Sequence, residues 1–235
     1  WKVVAFQKEQ QLIMEPNEYY YGEKPKLKKV TVLNIAEDAA VAAAKSGQVD
    51  VLFLNSDYAN AKVDNMKVFT MQTIASFTLN LPTQPEREEN GMKVGNNITS
   101  DPAIRKALNI GINRAEIIKN ALNGFGEPTY MYSKELAWVN PELNITDNRV
   151  EEAKKILEDA GWKDTDGDGI REKNGVKAEF KISGRSNDLQ RYNTAVALAA
   201  DAKKLGINMI AESMAWSDAR KIARNVPTIW NSSDF

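Results

Sequence analysis

The stretch from residue 158 to residue 175 joins three local structures in close succession. Gly161 ends a helix, an acidic and glycine-rich turn follows, and Asn174-Gly175 then turns a β-hairpin. The second arm of the hairpin alternates strictly, with apolar residues at every second position from Val176 to Ile182. A helix, a turn and a strand in this order predict a chain in which helices pack on a sheet.

The same alternation of helices and short strands extends along the chain. Candidate capping residues stand before four helical segments, at Asp38, Asp101, Asn113 and Asp147, and a further helix is expected at 189–205. Strands are expected at 1–14, 28–35, 49–54, 67–81, 176–182, 207–210 and 227–230. The polar stretch 82–97 predicts a loop or crossover. This pattern predicts an α/β or mixed α+β fold.

Composition removes several classes of function. Lysine and arginine total 31 against 32 acidic residues, so the bulk charge favours neither nucleic acid nor an anionic membrane. The absence of histidine and cysteine removes the commonest general base, thiol chemistry and the commonest transition-metal ligand. No run of about 18 apolar residues occurs, so no membrane-spanning helix is expected. Neither a bound metal nor a cofactor is predicted.

The acidic turn has two interpretations. Asp164, Asp166, Asp168 and Gly169 match positions one, three, five and six of a calcium-binding EF-hand loop. Position twelve, which requires a bidentate glutamate, falls on Gly175. Because the strongest ligand is missing, the pattern favours a tight solvated turn in which the glycines adopt positive φ angles.

Three separated stretches carry a longer pattern. The first contains Asn-x-x-Tyr-x-Gly-x-x-Pro at 17–25 and Ser-Gly-Gln-Val-Asp at 46–50. The second contains Arg-Lys-Ala-Leu at 105–108, Ile-Asn-Arg at 112–114 and Gly-Phe-Gly-Glu-Pro at 124–128. The third runs from Ala153 through Ala-Gly-Trp at 160–162 and the acidic turn to Leu-Gly-Ile at 205–207. Taken in this order, the stretches resemble the family 5 extracellular solute-binding proteins, which deliver oligopeptides, nickel chelates or opines to ABC importers. Asn113 stands where that family usually has aspartate.

The resemblance implies a two-lobed, periplasmic-binding-protein-like clamshell that is longer than this chain. On that basis residues 1–81 are part of the first lobe and residues 82–235 are most of the second. The chain opens on Trp1 and ends on Phe235, both inside strand-like segments. We therefore expect it to be a piece of a longer mature protein.

The resemblance also implies a ligand site near the end of the second lobe. Trp230 and Trp216 match aromatic residues that line the family's cleft, and Arg220 and Arg224 are candidates for binding a ligand carboxylate. Asp234 matches an aspartate that pairs with the α-ammonium group of the ligand in peptide-binding members. It follows Trp230 by four residues rather than three, a spacing closer to that of nickel- or opine-binding members.

The resulting hypothesis is a non-enzymatic one. The chain would belong to the substrate-binding component of an ABC importer, which captures an oligopeptide reversibly and delivers it to a membrane permease. The alternatives are a nickel-chelate or opine receptor of the same family, a sensory or surface protein that reuses the fold, and a carboxylate-pair hydrolase. Only acidic residues whose spacing indicates a turn favour the hydrolase. We expect a monomer that does not bind nucleic acid and that is extracytoplasmic, in the periplasm or lipid-anchored at the cell surface.

Overall fold

The computed structural model describes residues 1–71, 73, 75–131 and 137–231. The chain forms two compact units, Trp1–Val68 and Phe69–Phe235. Each unit has a sheet of its own.

The first unit is built on an antiparallel sheet of three strands, β1 (Lys2–Gln7), β2 (Gln11–Glu15) and β3 (Val30–Leu33), in that order. Leu12 on the central strand lies opposite Phe6 on one side and Val32 on the other. Helix α1 (Glu37–Lys45) follows and buries Ala43 and Ala44, and Ser56–Tyr58 form a 3₁₀ turn. The predicted strand character of the first fourteen residues therefore resolves into a hairpin.

Two predictions for the first unit are wrong. Helix α1 begins at Glu37, so Asp38 lies in its first turn and accepts a hydrogen bond from the Ala39 N–H at 2.8 Å instead of capping the helix. Residues 49–54 form irregular backbone rather than a strand, and Phe53 is exposed. A strand is stabilised by its neighbour across the sheet, and in the described part of this unit no strand pairs with 49–54.

The second unit contains eight strands and five helices among its described residues. The strands are β4 (Phe77–Asn80), β5 (Arg87–Glu89), β6 (Met92–Val94), β7 (Glu172–Lys173), β8 (Val176–Lys177), β9 (Glu179–Arg185), β10 (Asn208–Met214) and β11 (Thr228–Asn231). The helices are α2 (Pro102–Gly111), α3 (Arg114–Ala121), α4 (Val150–Asp159), α5 (Leu189–Ala202) and α6 (Trp216–Ile222), and 3₁₀ turns lie at Pro141–Leu143 and Lys203–Leu205.

Four of these strands form the central sheet, in the order β10-β9-β11-β4. Strands β10, β9 and β11 run parallel, and β4 joins the edge antiparallel to β11. Helix α5 connects β9 to β10 as a crossover and packs on both strands, which is the usual way to join parallel neighbours. The remaining strands form two small hairpins, β5–β6 and β7–β8.

The core of the second unit lies between one face of this sheet and the helices. Even-numbered residues of β9 point into it, so Phe180 and Ile182 are buried and meet Ile229 of β11. Helix α5 contributes small residues such as Ala195 and Ala202, which are fully buried and let its backbone approach the sheet. Val196, in contrast, lies on the outer side of α5 and is 44% exposed.

The helix starts show which predictions depend on neighbouring residues alone. Asp101 caps α2 by accepting from the Ala103 N–H at 2.8 Å, as predicted, and Asn113 caps α3 by accepting from the Glu116 N–H at 3.1 Å. The prediction that Asp147 caps α4 is wrong. The N-cap residue is Arg149, which makes no side-chain cap.

Asp147 is instead engaged by a residue distant in sequence. Its carboxylate accepts from the backbone N–H of Arg114 at 3.0 Å and from the guanidinium of the same residue at 3.2 Å. Both side chains are largely buried, with 15% and 17% of their surface exposed. A partner that lies 33 positions away in the sequence cannot be read from local capping patterns.

Asp101 also joins α2 to two residues that flank the acidic turn, Trp162 and Lys173. One carboxylate oxygen caps the helix, and the other accepts from the Trp162 indole N–H at 3.0 Å and from the Lys173 ammonium at 2.8 Å. Burial acts to raise the pKa of Asp101, but these hydrogen bonds from Lys173, Ala103 and Trp162 outweigh it and hold the pKa below its usual value.

The segment predicted as a loop or crossover at 82–97 holds the β5–β6 hairpin, turned by Asn90 and Gly91, which both have positive φ angles. Its strands, Arg-Glu-Glu and Met-Lys-Val, have only three residues each, which is too short for period-two alternation to give a clear signal. The Gly95 N–H at the end of the hairpin donates to the Arg224 carbonyl at 2.8 Å, which fastens the hairpin to the connection after α6.

The predicted mixed α/β class is therefore confirmed. The first lobe was expected to extend to residue 81, but β4, which lies before that point, pairs with β11 in the sheet of the second unit. The lobe boundary of the whole protein stays a prediction. Among the described residues, no helix is both long enough and apolar enough to cross a membrane.

Candidate functional site

Three parallel strands of the second unit end at one edge of the sheet. Arg185, the last residue of β9, pairs with Met214, the last residue of β10. Ser183 of β9 pairs with Thr228 of β11, so Trp230, two residues further on, lies level with Arg185. Ligands of open α/β sheets bind outside the carboxyl ends of the strands, and this edge, which we call the carboxyl edge, is the place to look for a site.

The carboxyl edge brings together the two tryptophans singled out in the sequence. Helix α6 begins directly after β10, which places Trp216 over the edge, while Trp230 comes from β11. Their ring centroids are 4.8 Å apart, and the planes meet at 79° in an edge-to-face contact, a favourable geometry for aromatic pairs. Both rings are half-buried.

Two guanidinium groups lie against Trp216. The Cζ atom of Arg185 stands 3.5 Å from the ring centroid, within stacking contact, and that of Arg220 stands 5.9 Å away. Both distances fall within the range of cation–π attraction. Arg220 was predicted from the sequence, but Arg185 was missed. The available signal was its position at the end of an alternating strand and just before the helix cap at Asp188.

Arg224 is directed elsewhere. Its guanidinium donates to Glu89 of the β5–β6 hairpin at 2.6 Å, and the hydrogen bond and charge of Arg224 lower the pKa of that carboxylate. The neighbouring Asn225 amide donates to the Gly95 carbonyl at 2.6 Å and to Glu86 at 3.1 Å. In the structure Arg224 thus ties the connection after α6 to the hairpin. The predicted site residue Asp234 lies outside the described residues.

The base of the carboxyl edge is rigid. The hydroxyls of Ser183 and Thr228, both buried, are hydrogen-bonded across β9 and β11 at 2.9 Å. Gly184 lies so close to α5 that a Cβ atom there would stand 2.6 Å from the Cα of Tyr192. Backbone contact on one face and a buried hydroxyl pair on the other fix the direction in which β9 presents Arg185.

The acidic turn forms a second candidate cluster. Carboxylate oxygens of Asp164, Asp166, Asp168 and Glu172 lie within 4.8 Å of one another. The Lys177 ammonium stands among them, 3.0 Å from Asp166, in contact with Asp168, and 3.9 Å from Glu172. The hydrogen bonds to Asp168 and Asp166 raise the pKa of Lys177, and the hydrogen bond from Lys177 lowers the pKa of Asp168.

Backbone groups engage the same carboxylates. Asp164 accepts from the N–H groups of Gly167 and Gly169 at 2.8 and 3.0 Å, and Asp168 accepts from the Ile170 N–H at 2.8 Å. Gly167 and Gly169 have φ angles of 81° and 86°, so the predicted tight turn with positive φ at its glycines is confirmed. Because these carboxylates already bind the backbone of the turn and Lys177, their clustering is explained without a metal ion.

The carboxyl edge combines half-buried aromatic surface, fixed cations and a rigid strand register. These groups can bind a small polar ligand by stacking, charge and hydrogen bonds. No general base of the histidine type and no cysteine nucleophile exists in the chain, and the edge contains no pair of described carboxylates arranged across a common space. The described geometry supports binding more directly than catalysis.

Comparisons with known proteins agree with a binding role. A sequence model of the bacterial extracellular solute-binding proteins of family 5, middle region, matches residues 1–234. The oligopeptide-binding protein AppA of Bacillus subtilis is 30% identical over 225 aligned residues, and the match covers 92% of this chain and 39% of that protein. The nickel-binding periplasmic protein of Escherichia coli is 29% identical over 200 aligned residues, and the match covers 83% of this chain and 37% of that protein.

Solved structures show the same fold. AppA in complex with a nonapeptide superposes with a TM-score of 0.68 at 25% identity, over 98% of this chain and 46% of that one. NikZ of Campylobacter jejuni in complex with Ni(L-His) superposes with a TM-score of 0.78 at 22% identity, over 98% and 45% of the two chains. The chain thus spans less than half the length of the proteins that it matches.

Proposed function

Because this chain belongs to the bacterial extracellular solute-binding proteins of family 5, we propose that it is part of the substrate-binding receptor of an ABC importer. The receptor binds an oligopeptide outside the cytoplasm and delivers it to a membrane permease without changing it covalently. In the complete protein, residues 1–81 are part of the first lobe and residues 82–235 are most of the second, with β4 near the boundary completing the sheet of the second unit. The receptor is a monomer, held in the periplasm or by a lipid anchor at the cell surface.

One observation carries the proposal at the level of the site. Trp216 and Trp230 come from different elements, α6 and β11, and meet at 4.8 Å on the carboxyl edge, with Arg185 and Arg220 beside them. Half-exposed indoles next to charged groups suit a ligand that is partly apolar and partly polar, such as a short peptide. We propose that Trp230 contacts the ligand directly and that Asp234, four residues further on, pairs with a ligand ammonium group.

The choice of an oligopeptide over a nickel chelate rests on two points. AppA, at 30% identity, is named for oligopeptide binding, and the chain has no histidine to bind nickel directly. A metal bound through its own organic chelator needs no such ligand, so a nickel chelate is the competing outcome of the experiment below.

The test is a thermal-shift screen of the complete encoded protein. Its probes are mixed-sequence tetrapeptides, Ni²⁺ alone, Ni²⁺ with L-histidine, and Ni²⁺ with an opine-type chelator. We expect the peptides to raise the melting temperature, because a ligand that binds only the folded state stabilises it. A rise that requires nickel and chelator together would replace the peptide by a chelate, and no rise with any probe would contradict the receptor function.

Matched variants locate the site. Trp230→Ala and Asp234→Ala should each weaken binding of the active probe by at least about tenfold, the loss expected when a buried aromatic or charge-assisted contact is removed. Trp138→Ala and Asp159→Ala are the controls, because both residues are exposed and lie outside the carboxyl edge. Unchanged affinity in the first pair would show that the ligand binds elsewhere.

A further inference from the structure

Helix α6 begins with Trp216 but buries very little of its surface in the core. All seven of its residues are described, and Ala219 is the one among them that is buried. A helix this short is unstable on its own, and the burial of a single small side chain contributes little to holding it in place. The position of α6 on the carboxyl edge therefore depends on how its two ends are held.

The two ends of α6 are connected in different ways. At its start α6 follows β10, with only Ala215 between them. At its end residues 223–227 lead into β11, which carries Trp230. This connection joins the helix of one tryptophan directly to the strand of the other. Whatever fixes the connection also fixes how Trp216 and Trp230 stand relative to each other.

Asn225 fastens this connection to the two ends of the β5–β6 hairpin. Its side-chain amide donates to the Gly95 carbonyl at 2.6 Å and to the Glu86 carboxylate at 3.1 Å. Its backbone carbonyl accepts from the side-chain amide of Asn96 at 3.4 Å. The amide nitrogen of asparagine has two hydrogens, and the two acceptors Gly95 and Glu86 use both of them.

The end of the hairpin that receives these hydrogen bonds is closely fixed. Gly95 has a φ angle of +79°, and a Cβ atom there would stand 2.1 Å from the carbonyl oxygen of Pro85, so only glycine fits. The side-chain oxygen of Asn96 accepts from the backbone N–H groups of Ile98 and Thr99, each at 3.0 Å, shortly before α2 begins. The connection is therefore bonded to a part of the second unit that is itself held in place.

A second contact between the connection and the hairpin is weaker. The ion pair of Arg224 with Glu89 joins side chains that are 55% and 35% exposed, and exposed ion pairs contribute little. Asn225 is half-buried, and partly buried polar groups are costly to leave without a partner. The hold of the hairpin on the connection therefore depends on Asn225 more than on Arg224.

We propose that Asn225 is a positioning residue of the carboxyl edge, which holds α6 in the orientation where Trp216 meets Trp230. It acts through the connection 223–227 and the helix, and it makes no contact with the ligand. The inference rests on the proposed receptor function and adds the contact that prepares the site before a ligand arrives. The apparent affinity of a site is reduced by the fraction of molecules that hold the binding-competent arrangement, so loosening this contact weakens binding.

The test measures the tryptophan pair and ligand binding separately in the complete protein. The rings of Trp216 and Trp230 are 4.8 Å apart, close enough for exciton coupling, and the signal of the pair is the part of the wild-type circular dichroism spectrum that Trp230→Phe removes. Asn225→Asp should reduce this signal to about a third or less, because a carboxylate cannot donate to Gly95 and repels Glu86. The affinity for mixed tetrapeptides, or for Ni²⁺ with L-histidine, measured by calorimetry, should fall by the same factor, about threefold or more.

Further variants separate positioning from general stability. Asn225→Ala removes the amide without adding charge and should change both readouts in the same direction, but less. Glu86→Gln combined with Asn225→Asp should recover part of both, because the glutamine amide can donate to the new carboxylate. Glu88→Gln is the matched control, since Glu88 is an exposed residue of the same hairpin, and should change neither readout. Urea unfolding is measured for every variant, because a merely structural role would lower the free energy of unfolding and leave the pair signal and the affinity of the native protein unchanged.

The outcomes distinguish failure of this inference from failure of the proposed function. A wild-type pair signal in both Asn225→Asp and Asn225→Ala overturns the inference, whether or not a probe binds. A lost signal with unchanged affinity also overturns it, because the arrangement of the tryptophan pair would then have no consequence for binding. Binding of neither probe by the wild type contradicts the proposed function, and the spectra alone then decide whether Asn225 holds the pair.

Discussion

Removing the carboxylate of Asp101 tests whether one side chain stabilises three separate parts of the second unit. In Asp101→Ala, α2 loses its N-cap at the Ala103 N–H, which costs about 1 kcal/mol. The indole N–H of Trp162, a residue only 3% exposed, loses its acceptor, and a buried donor without a partner costs about 1–3 kcal/mol. The ion pair with Lys173 is partly exposed and adds less than about 1 kcal/mol.

The sum for Asp101→Ala is a loss of about 3 kcal/mol in the free energy of unfolding of the second unit, from the capping and buried-donor contributions. Asp101→Asn should lose less, about 2 kcal/mol, because asparagine caps well but has a single oxygen. If that oxygen caps α2, the amide NH₂ faces the Trp162 N–H and the Lys173 ammonium, and three donors meet without an acceptor. The expected order of stability is therefore Asp101→Ala lowest, Asp101→Asn intermediate and the wild type highest.

The assay is urea unfolding of the complete protein followed by circular dichroism and tryptophan fluorescence, at pH 7 and below pH 4. The pKa of Asp101 is lower in the folded state than its usual value. The stability that its charge contributes is therefore present above the unfolded pKa, near 3.8, and is lost as the pH falls through the lower folded pKa. The difference between wild type and Asp101→Asn should consequently shrink in acid.

The control is Asp159→Asn on α4, whose ion pair with Lys155 is exposed and should contribute less than about 0.5 kcal/mol. If Asp101→Asn and Asp159→Asn have the same stability at pH 7, the described contacts of Asp101 do not stabilise the unit. A loss that is independent of pH would show that the charge of Asp101 is not what the contacts depend on.

Three further expectations follow from contacts in the second unit. Gly184→Ala should lower the free energy of unfolding by about 1–3 kcal/mol, because the added Cβ would stand 2.6 Å from the backbone Cα of Tyr192. Urea unfolding measures this loss, and a loss below about 0.5 kcal/mol would contradict the prediction. Gly206→Ala should lower the free energy of unfolding by about 1–2 kcal/mol in the same assay, because φ is +77° and the Cβ would stand 2.8 Å from the side chain of Arg171. Unchanged stability would contradict this and would mean that the 3₁₀ turn adjusts without cost. Calcium should leave the melting temperature of the wild type unchanged, because the carboxylates of the acidic turn already bind Lys177 and backbone N–H groups and the bidentate ligand at position twelve is missing. A rise that saturates with calcium would restore the EF-hand interpretation.

The sequence predicts the local elements well, since their causes are local. The caps at Asp101 and Asn113 depend on N–H groups two and three residues away, and the hairpin at Asn174-Gly175 depends on two residues with positive φ. The strand expected at 49–54 and the cap expected at Asp147 fail for one shared reason. Each local pattern fits the predicted element, but contacts with distant residues decide the structure. Residues 49–54 have no neighbouring strand to pair with in the described part of their unit, and Asp147 binds Arg114, 33 positions away in the sequence.

The candidate site divides in the same way. Trp216, Trp230 and Arg220 could be found because the ordered motifs of the family place them near the end of the chain. Arg185 was missed despite its position at the end of an alternating strand, because its contact with Trp216, 31 positions later in the sequence, arises only when β9 and β10 pair in parallel. Nothing in the residues around Arg185 indicates that contact.

The core fixes the orientation of the site. Ile182 and Ile229 are fully buried on the helix side of the sheet, and side chains along a strand alternate between faces, so residues at an odd spacing from these two point to the opposite side. Arg185 and Trp230, three and one positions further along, therefore emerge together on that opposite face. A shift of one residue in the register of β9 would bury the guanidinium and expose Ile182, which costs far more than any ligand contact contributes. Burial of Ile182 and Ile229 thus determines the face of the sheet on which Arg185 and Trp230 lie. The two side chains stay together at the carboxyl edge as long as the strand register that buries the isoleucines is maintained.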